Sequence, residues 1–197
     1  EMRKALANGE IDVLMGMYYT PERDAVADFT SPHTVTDYVA VVRSGTLAPP
    51  ASYEGLAGYR LAVQSGDILH DMAMSHDLGS SLVLAPSQED ALRLLLEGQA
   101  DVALVARVPA EYWIARNGWQ DLEIATEPLA SLEYGYAVAE NRPELLQRLE
   151  EGLQVVQANG EYRRIRARWL EPYDAHQEAL ARVTRYGAYA ATAAAAI

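Results

Sequence analysis

Short apolar runs alternate with helical stretches along most of this chain, and that alternation limits the fold more than any single motif. Ile11-Asp-Val-Leu-Met-Gly16, Tyr38 to Arg43, Tyr59 to Gln64, Leu82 to Ala85, Val102 to Ala106, Leu122 to Ala125 and Tyr134 to Val138 read as short strands. Helix signals fill the gaps. Met2, Ala5 and Leu6 sit at helical spacing and stop at Asn8-Gly9, and Thr20-Pro21 reads as N-cap and first residue of a brief helix through Ala27. Ser52 opens a short helix ending near Gly58, Gly66-Asp67 begins one running to about Asp77, and Ser87-Gln-Glu-Asp90 resembles a capping box. Further helices are expected from Pro109 to Arg116, from Pro143 with Leu145, Leu146, Leu149, Leu153 and Val156 on one side, and around Tyr162, Ile165 and Trp169. Strands alternating with helices predict a largely parallel α/β architecture.

Composition narrows the function classes. The 197 residues hold 16 Lys+Arg against 28 Asp+Glu, a net charge of −12, and Lys4 is the sole lysine. Nucleic-acid binding needs clustered cations to neutralise phosphates, so no nucleic-acid partner is expected. With no cysteine, disulfide scaffolds, thiolate metal sites and thiol nucleophiles are excluded. His33, His70, His76 and His176 show no metal-ligand spacing; the His70/Asp71 and His76/Asp77 pairs read as solvated residues of an exposed helix. No nucleophile-elbow, P-loop or dinucleotide signature appears, so neither metal nor cofactor is expected.

Both ends read as cut. Glu1 opens inside a helical pattern with no leader sequence, and Tyr186 to Ile197 is alanine-rich, apolar and abrupt. Composition alone leaves that last segment equally open as the root of a membrane span or as a surface helix.

Three ordered blocks carry a family resemblance. The first is Leu6-Ala-Asn-Gly-Glu-Ile-Asp12, Tyr19-Thr-Pro-Glu-Arg23 and Asp28-Phe-Thr-Ser-Pro32. The second is Gly55 to Gly66 with Ala91 to Ala103, and the third is Tyr134-Gly-Tyr-Ala-Val138 with Asn159-Gly-Glu-Tyr162 and Ile165 to Leu170. Together, from Glu1 to about Tyr173, the chain resembles the family 3 extracellular solute-binding proteins of the polar amino-acid-binding type. The resemblance implies a two-lobed periplasmic-binding-protein type 2 α/β fold with ligand held between lobes joined by crossing strands. It assigns 1–38 to part of lobe 1, 39–133 to lobe 2 and 134–173 to the return into lobe 1. Lobe 1 in this family begins upstream of Glu1, so its N-terminal part is expected to be missing.

Residues 174–197 are then expected to be a connector and the start of a transmembrane helix. That arrangement is similar to the extracytoplasmic sensor module of a membrane-bound histidine kinase or diguanylate cyclase. It implies periplasmic location, an inner-membrane tether and a homodimer through the parent sensor. A soluble component of an ABC transporter is the alternative. A periplasmic cyclohexadienyl dehydratase is the enzyme alternative, and Glu111 is its acid candidate.

The resemblance also names site residues. Arg23 is expected to pair bidentately with a ligand carboxylate, a task suited to a planar guanidinium; without the resemblance it reads as a surface arginine beside Glu22 or Asp24. Thr20 is expected either to donate to the same carboxylate or to cap its helix. Tyr18 falls where relatives often carry a small hydroxyl residue, beside Gly16, and lines the cleft wall or is simply a half-buried tyrosine. Gly66-Asp67 matches a helix N-terminus that offers N–H groups to an anion, but Asp67 brings a negative charge there and is expected to cap its own helix. Ala106 stands where amino-acid-binding relatives commonly carry the acid that takes the α-ammonium. Unless Asp67 or Glu111 substitutes, the ligand is expected to be a carboxylate without a conventional α-amino group, or binding is lost. Arg107 is read either as a second anion contact or as a solvated arginine.

Overall fold

The computed structural model describes residues 2–170. The elements run α1 (Met2–Ala7), β1 (Val13–Tyr18), α2 (Pro21–Asp24), β2 (Ala27–Phe29), β3 (Thr34–Arg43), β4 (Leu61–Gln64), α3 (Ile68–Ser75), β5 (Leu82–Ala85), α4 (Gln88–Leu96), β6 (Val102–Ala106), α5 (Arg107–Asn117), β7 (Leu122–Ile124), β8 (Ala130–Ala139), α6 (Pro143–Ala158) and α7 (Glu161–Trp169). Two compact units divide the chain, 1–151 and 152–197. The first holds the whole sheet. Of the second, the described part is the end of α6 and α7, whose Glu161 pairs with Arg164 one turn on.

The sheet runs β1-β8-β3-β6-β4-β5, with β2 also on β8 and β7 also on β3. Only β4 with β5 and β4 with β6 are parallel; the other five pairings are antiparallel. The expectation of a largely parallel sheet is therefore corrected to a mixed one. The helical connections β4-α3-β5 and β5-α4-β6 bring back strands that lie parallel on β4, whereas β6-α5-β7 brings its strand back onto β3, antiparallel to it. Elsewhere the ten-residue strands β3 and β8 pair antiparallel with each other and with their remaining neighbours.

β3 shows why these residues make a doubly covered sheet. Tyr38, Ala40 and Val42 enter one buried cluster with Val63, Ile68, Leu69 and Leu104, while Val39 and Val41 enter another with Ala91, Leu92, Leu95 and Val105. That alternation is the two-residue period of a strand, with α3 covering one face and α4 the other. Each fully buried Leu or Val contributes roughly 1.5–3 kcal/mol. A third cluster, Leu6, Leu14, Met17, Ala27 and Ala137, seats α1 on β1 and β8.

Several boundaries differ from expectation. β3 begins at Thr34 rather than Tyr38, and β8 at Ala130 rather than Tyr134. Their extra halves pair with each other through polar positions, and Ser131 donates to Asp37 at 2.6 Å. An apolar-run reading passes over strands whose cross-strand pairs are polar. The helix after Thr20 stops at Asp24, and Ala27–Phe29 turns instead into a strand on β8.

The connector and membrane-helix expectations for 174–197, and His176, lie outside the described residues. Among the described residues no helix is long and apolar enough to cross a membrane.

Candidate functional site

Arg23 lies on the four-residue helix α2, fixed by Thr20 as N-cap and Pro21 at the first position. Thr20 Oγ1 accepts from the Arg23 N–H at 3.2 Å, the cap bond expected of a threonine there. The arginine is only 8% exposed. A buried guanidinium must be paired or its desolvation is uncompensated. Its Nη2 donates to Asp71 Oδ2 at 3.0 Å, and its Nη1 makes a longer contact to the Tyr18 carbonyl at 3.4 Å. These two acceptors leave most of its five N–H donors for other partners.

Asp71 was not among the residues picked from sequence, where it reads as a solvated neighbour of His70. The structure corrects that. Its Oδ2 accepts from Arg3 at 3.2 Å as well as from Arg23. Helical phase explains the position: Ile68, Asp71, Met72 and Ser75 recur on one face of α3 and all four line one cavity. The Arg3 contact joins side chains 48% and 42% exposed, so it stabilises by roughly 0–1 kcal/mol at most.

That cavity is about 390 Å³, within the range of small-ligand pockets. Arg23 and Thr20 line it together with Arg3, Glu22, Asp71 and Ser75; Leu6, Met17, Val26 and Met72 supply much of its apolar wall.

Gly66, Asp67 and Ala106 gather elsewhere. Gly66 takes φ +74° and its N–H donates to His70 Nδ1 at 3.0 Å. Asp67 caps α3, its Oδ1 accepting from the Ile68 N–H at 2.7 Å. The Ile68 N–H that opens α3 and the Gly66 N–H just before the helix are thus engaged inside the chain. Asp67 Oδ2 accepts from Gln88 Nε2 at 3.0 Å, and Gln88 Oε1 accepts from the Ala106 N–H at 3.0 Å. Gln88 therefore ties the start of α3 to the start of α5. Sequence reasoning saw it only as part of a capping box, in which Ser87 does accept from the Asp90 N–H at 3.1 Å.

Tyr18 belongs to a tyrosine cluster. Its ring centroid lies 5.3 Å from that of Tyr38, edge-on, and 4.6 Å from that of Tyr134. Tyr38 is fully buried, and burial, then the Tyr18 phenol and the Asp67 carboxylate, push its phenol far above the ordinary range; Arg23 acts in the opposite sense. The Tyr134 phenol is raised for similar reasons. Both phenols stay protonated at any physiological pH.

The remaining candidates are placed as follows. Arg107 is 8% exposed and donates from Nη2 to the Thr126 carbonyl at 2.8 Å, so it is neither solvated nor turned to the cavity. Glu111 lies one turn further along α5 and does not line the cavity. No cluster of metal-ligating side chains occurs among the described residues.

Known proteins share both sequence and fold with this chain. The crystal structure of a histidine kinase sensor domain with similarity to periplasmic binding proteins superposes with a TM-score of 0.81 at 39% identity, covering 86% of this chain and 74% of that one. The virulence sensor protein BvgS of Bordetella bronchiseptica is 26% identical over 170 residues, 86% of this chain but 14% of BvgS. ABC transporter arginine-binding protein 1 of Escherichia coli K12 is 25% identical over 163 residues, covering 80% of this chain and 65% of that protein. This chain thus spans a small part of the curated sensor it matches. A buried arginine on a cavity of ligand size, a mixed sheet crossed by two long strands, and a family match over residues 1–172 agree: the chain belongs to the bacterial extracellular solute-binding proteins, family 3.

Proposed function

We propose that this chain binds a small carboxylate-bearing solute at Arg23, outside the cytoplasm, and that binding is relayed as a sensory signal across the membrane. The single observation that carries the binding half is the buried Arg23 guanidinium facing a cavity of about 390 Å³ with donors to spare. Bidentate donors match two carboxylate oxygens, and burial makes each such bond stronger than in water. The relay half is supported by the likeness to a histidine kinase sensor domain and to BvgS. A ligand shifts such a module only by its differential affinity for two conformations, so the solute must bind one lobe arrangement better. In this reading residues 1–38 and 134–173 form one lobe, 39–133 the other, and 174–197 lead to the membrane.

A second reading, a soluble component feeding an ABC transporter, is favoured by the likeness to the arginine-binding protein of E. coli. The two differ in what lies beyond the binding module and share the same site.

A thermal-shift screen of amino acids and small mono- and dicarboxylates tests the binding half. At solute concentrations near 100 times Kd, stabilisation of about 2.7 kcal/mol is expected, a rise of several °C in Tm. No shift with any carboxylate overturns the reading. For the relay, Arg23→Gln in the full-length protein is expected to remove the output response to the solute. An unchanged response contradicts it.

A further inference from the structure

We propose that α7 is a membrane-surface helix, whose exposed arginines and Trp169 dock this chain on an anionic lipid bilayer. The proposal rests on the reading that 174–197 lead to the membrane, and it adds the contact that α7 makes there. α7 carries four arginines, Arg163, Arg164, Arg166 and Arg168, against the one acid Glu161. Four of the chain's 16 Lys+Arg thus stand in nine residues of a protein whose net charge is −12. Helix stability does not account for that concentration. Cations are favourable in the last turn, where Arg166 and Arg168 stand, but unfavourable toward the N-terminal end, where Arg163 and Arg164 stand. The pair of Arg164 with Glu161 is exposed on both sides and stabilises little.

The exposed side of the helix has the pattern of an interfacial one. Ile165 is 46% exposed and Trp169 63% exposed, one turn apart on the same face. Arg164 and Arg168 form the neighbouring ridge, also exposed, and the Arg168 guanidinium lies 5.2 Å from the Trp169 ring centroid. Two large apolar side chains stacked in this way and flanked by cations differ from singly scattered surface hydrophobics. At the headgroup level of a bilayer each group finds its medium. The indole and Ile165 enter the acyl boundary, the arginine stems follow them, and the guanidiniums donate to lipid phosphates. Nine residues are too few to cross a bilayer, so α7 lies in the interface plane. Charge selects the lipid. The Debye length of about 8 Å in physiological salt is shorter than the helix, so an anionic surface responds to the α7 cluster and not to the net −12. Each arginine near such a surface strengthens partitioning about five-fold.

Vesicle co-sedimentation of the full chain tests this, with phosphatidylcholine vesicles and with vesicles holding about 30% phosphatidylglycerol. The native chain is expected to bind the phosphatidylglycerol vesicles about 10-fold or more tightly, and to lose that preference at about 0.5 M salt. The triple variant Arg163→Gln/Arg164→Gln/Arg168→Gln is expected to weaken that binding by about 30-fold or more. The matching triple lysine variant is expected to retain most of it, which separates charge attraction from a change of fold. Trp169→Ala is expected to weaken binding further in either background. The solute-induced thermal shift is expected to be unchanged in the triple glutamine variant, so the solute-binding reading is scored separately. Equal binding to both vesicles, unchanged in the triple glutamine variant, assigns the contact to the segment after α7; it overturns the inference and leaves the tether reading intact. Binding to neither vesicle overturns the inference, and a dimer that the triple glutamine variant loses then marks this face as a protein interface.

Discussion

The ring of Tyr134 lies across Gly16 so closely that a β-carbon built on Gly16 would come within 2.2 Å of Cε1, Cζ and Oη of that ring. Gly16 sits where the β1–β8 register shifts between Leu14 and Met17, so the bulge and the missing side chain together admit the tyrosine. Tyr134 in turn packs on Tyr18, whose carbonyl faces Arg23. The glycine thus supports the arginine through two aromatic rings.

Gly16→Ala is accordingly expected to cost about 1–3 kcal/mol by overpacking. Because the clash is with one side chain, the double variant Gly16→Ala/Tyr134→Ala is expected to lose less than the sum of the two single changes. Urea denaturation of the four proteins in this cycle reads the coupling. Strict additivity contradicts the packing account.

Gln88→Ala is expected to destabilise by about 1–3 kcal/mol, because it strips Asp67 Oδ2 and the Ala106 N–H of their shared partner. The same denaturation measurement applies. A change below about 0.5 kcal/mol, ordinary for a surface position, means that the bridge does not hold α3 to α5.

His33 packs against Tyr134 and Tyr136, and burial holds its pKa below the usual 6.5. The folded state therefore prefers neutral His33, while the unfolded chain takes up its proton near pH 6.5. Its contribution is complete above that pH and is lost progressively as the pH falls below it. The stability difference between the native chain and His33→Gln is expected to shrink between pH 7.5 and 5. A difference that stays constant or grows on acidification contradicts this.

Much of the fold was legible in sequence, for stated reasons. Leu82–Ala85 and Val102–Ala106 match the expected strands because each is a continuous apolar run bounded by turn or helix signals. Ser87 and Asp67 cap the helices expected of them, since short polar side chains before an apolar face satisfy the first N–H groups locally. Strand direction was not legible, because parallel and antiparallel neighbours present the same apolar residues. The polar half of β3 and the first half of β8 were missed, since Thr36 opposite Leu132 and Asp37 opposite Ser131 carry no apolar alternation.

The geometry of the candidate site was legible where it depends on local chemistry and illegible where it depends on pairing across the chain. Arg23 and Thr20 share a cavity, as neighbours on one turn. Asp71 stands 48 residues from Arg23, and nothing in the local pattern of α3 distinguishes it from a solvated acid. Gln88 is hidden for the same reason, lying 21 residues from Asp67 and 18 from Ala106.

The central claim is that the Arg23 guanidinium holds the carboxylate of a small solute. Its most direct measurement is the Kd, by titration calorimetry, of the tightest solute from the thermal-shift screen for the native chain, Arg23→Lys and Arg23→Gln. The account predicts a loss of about 10-fold or more for Arg23→Lys, which keeps the charge but not the fork, and no measurable binding for Arg23→Gln. A folded Arg23→Gln protein that binds the solute with the native Kd would contradict it.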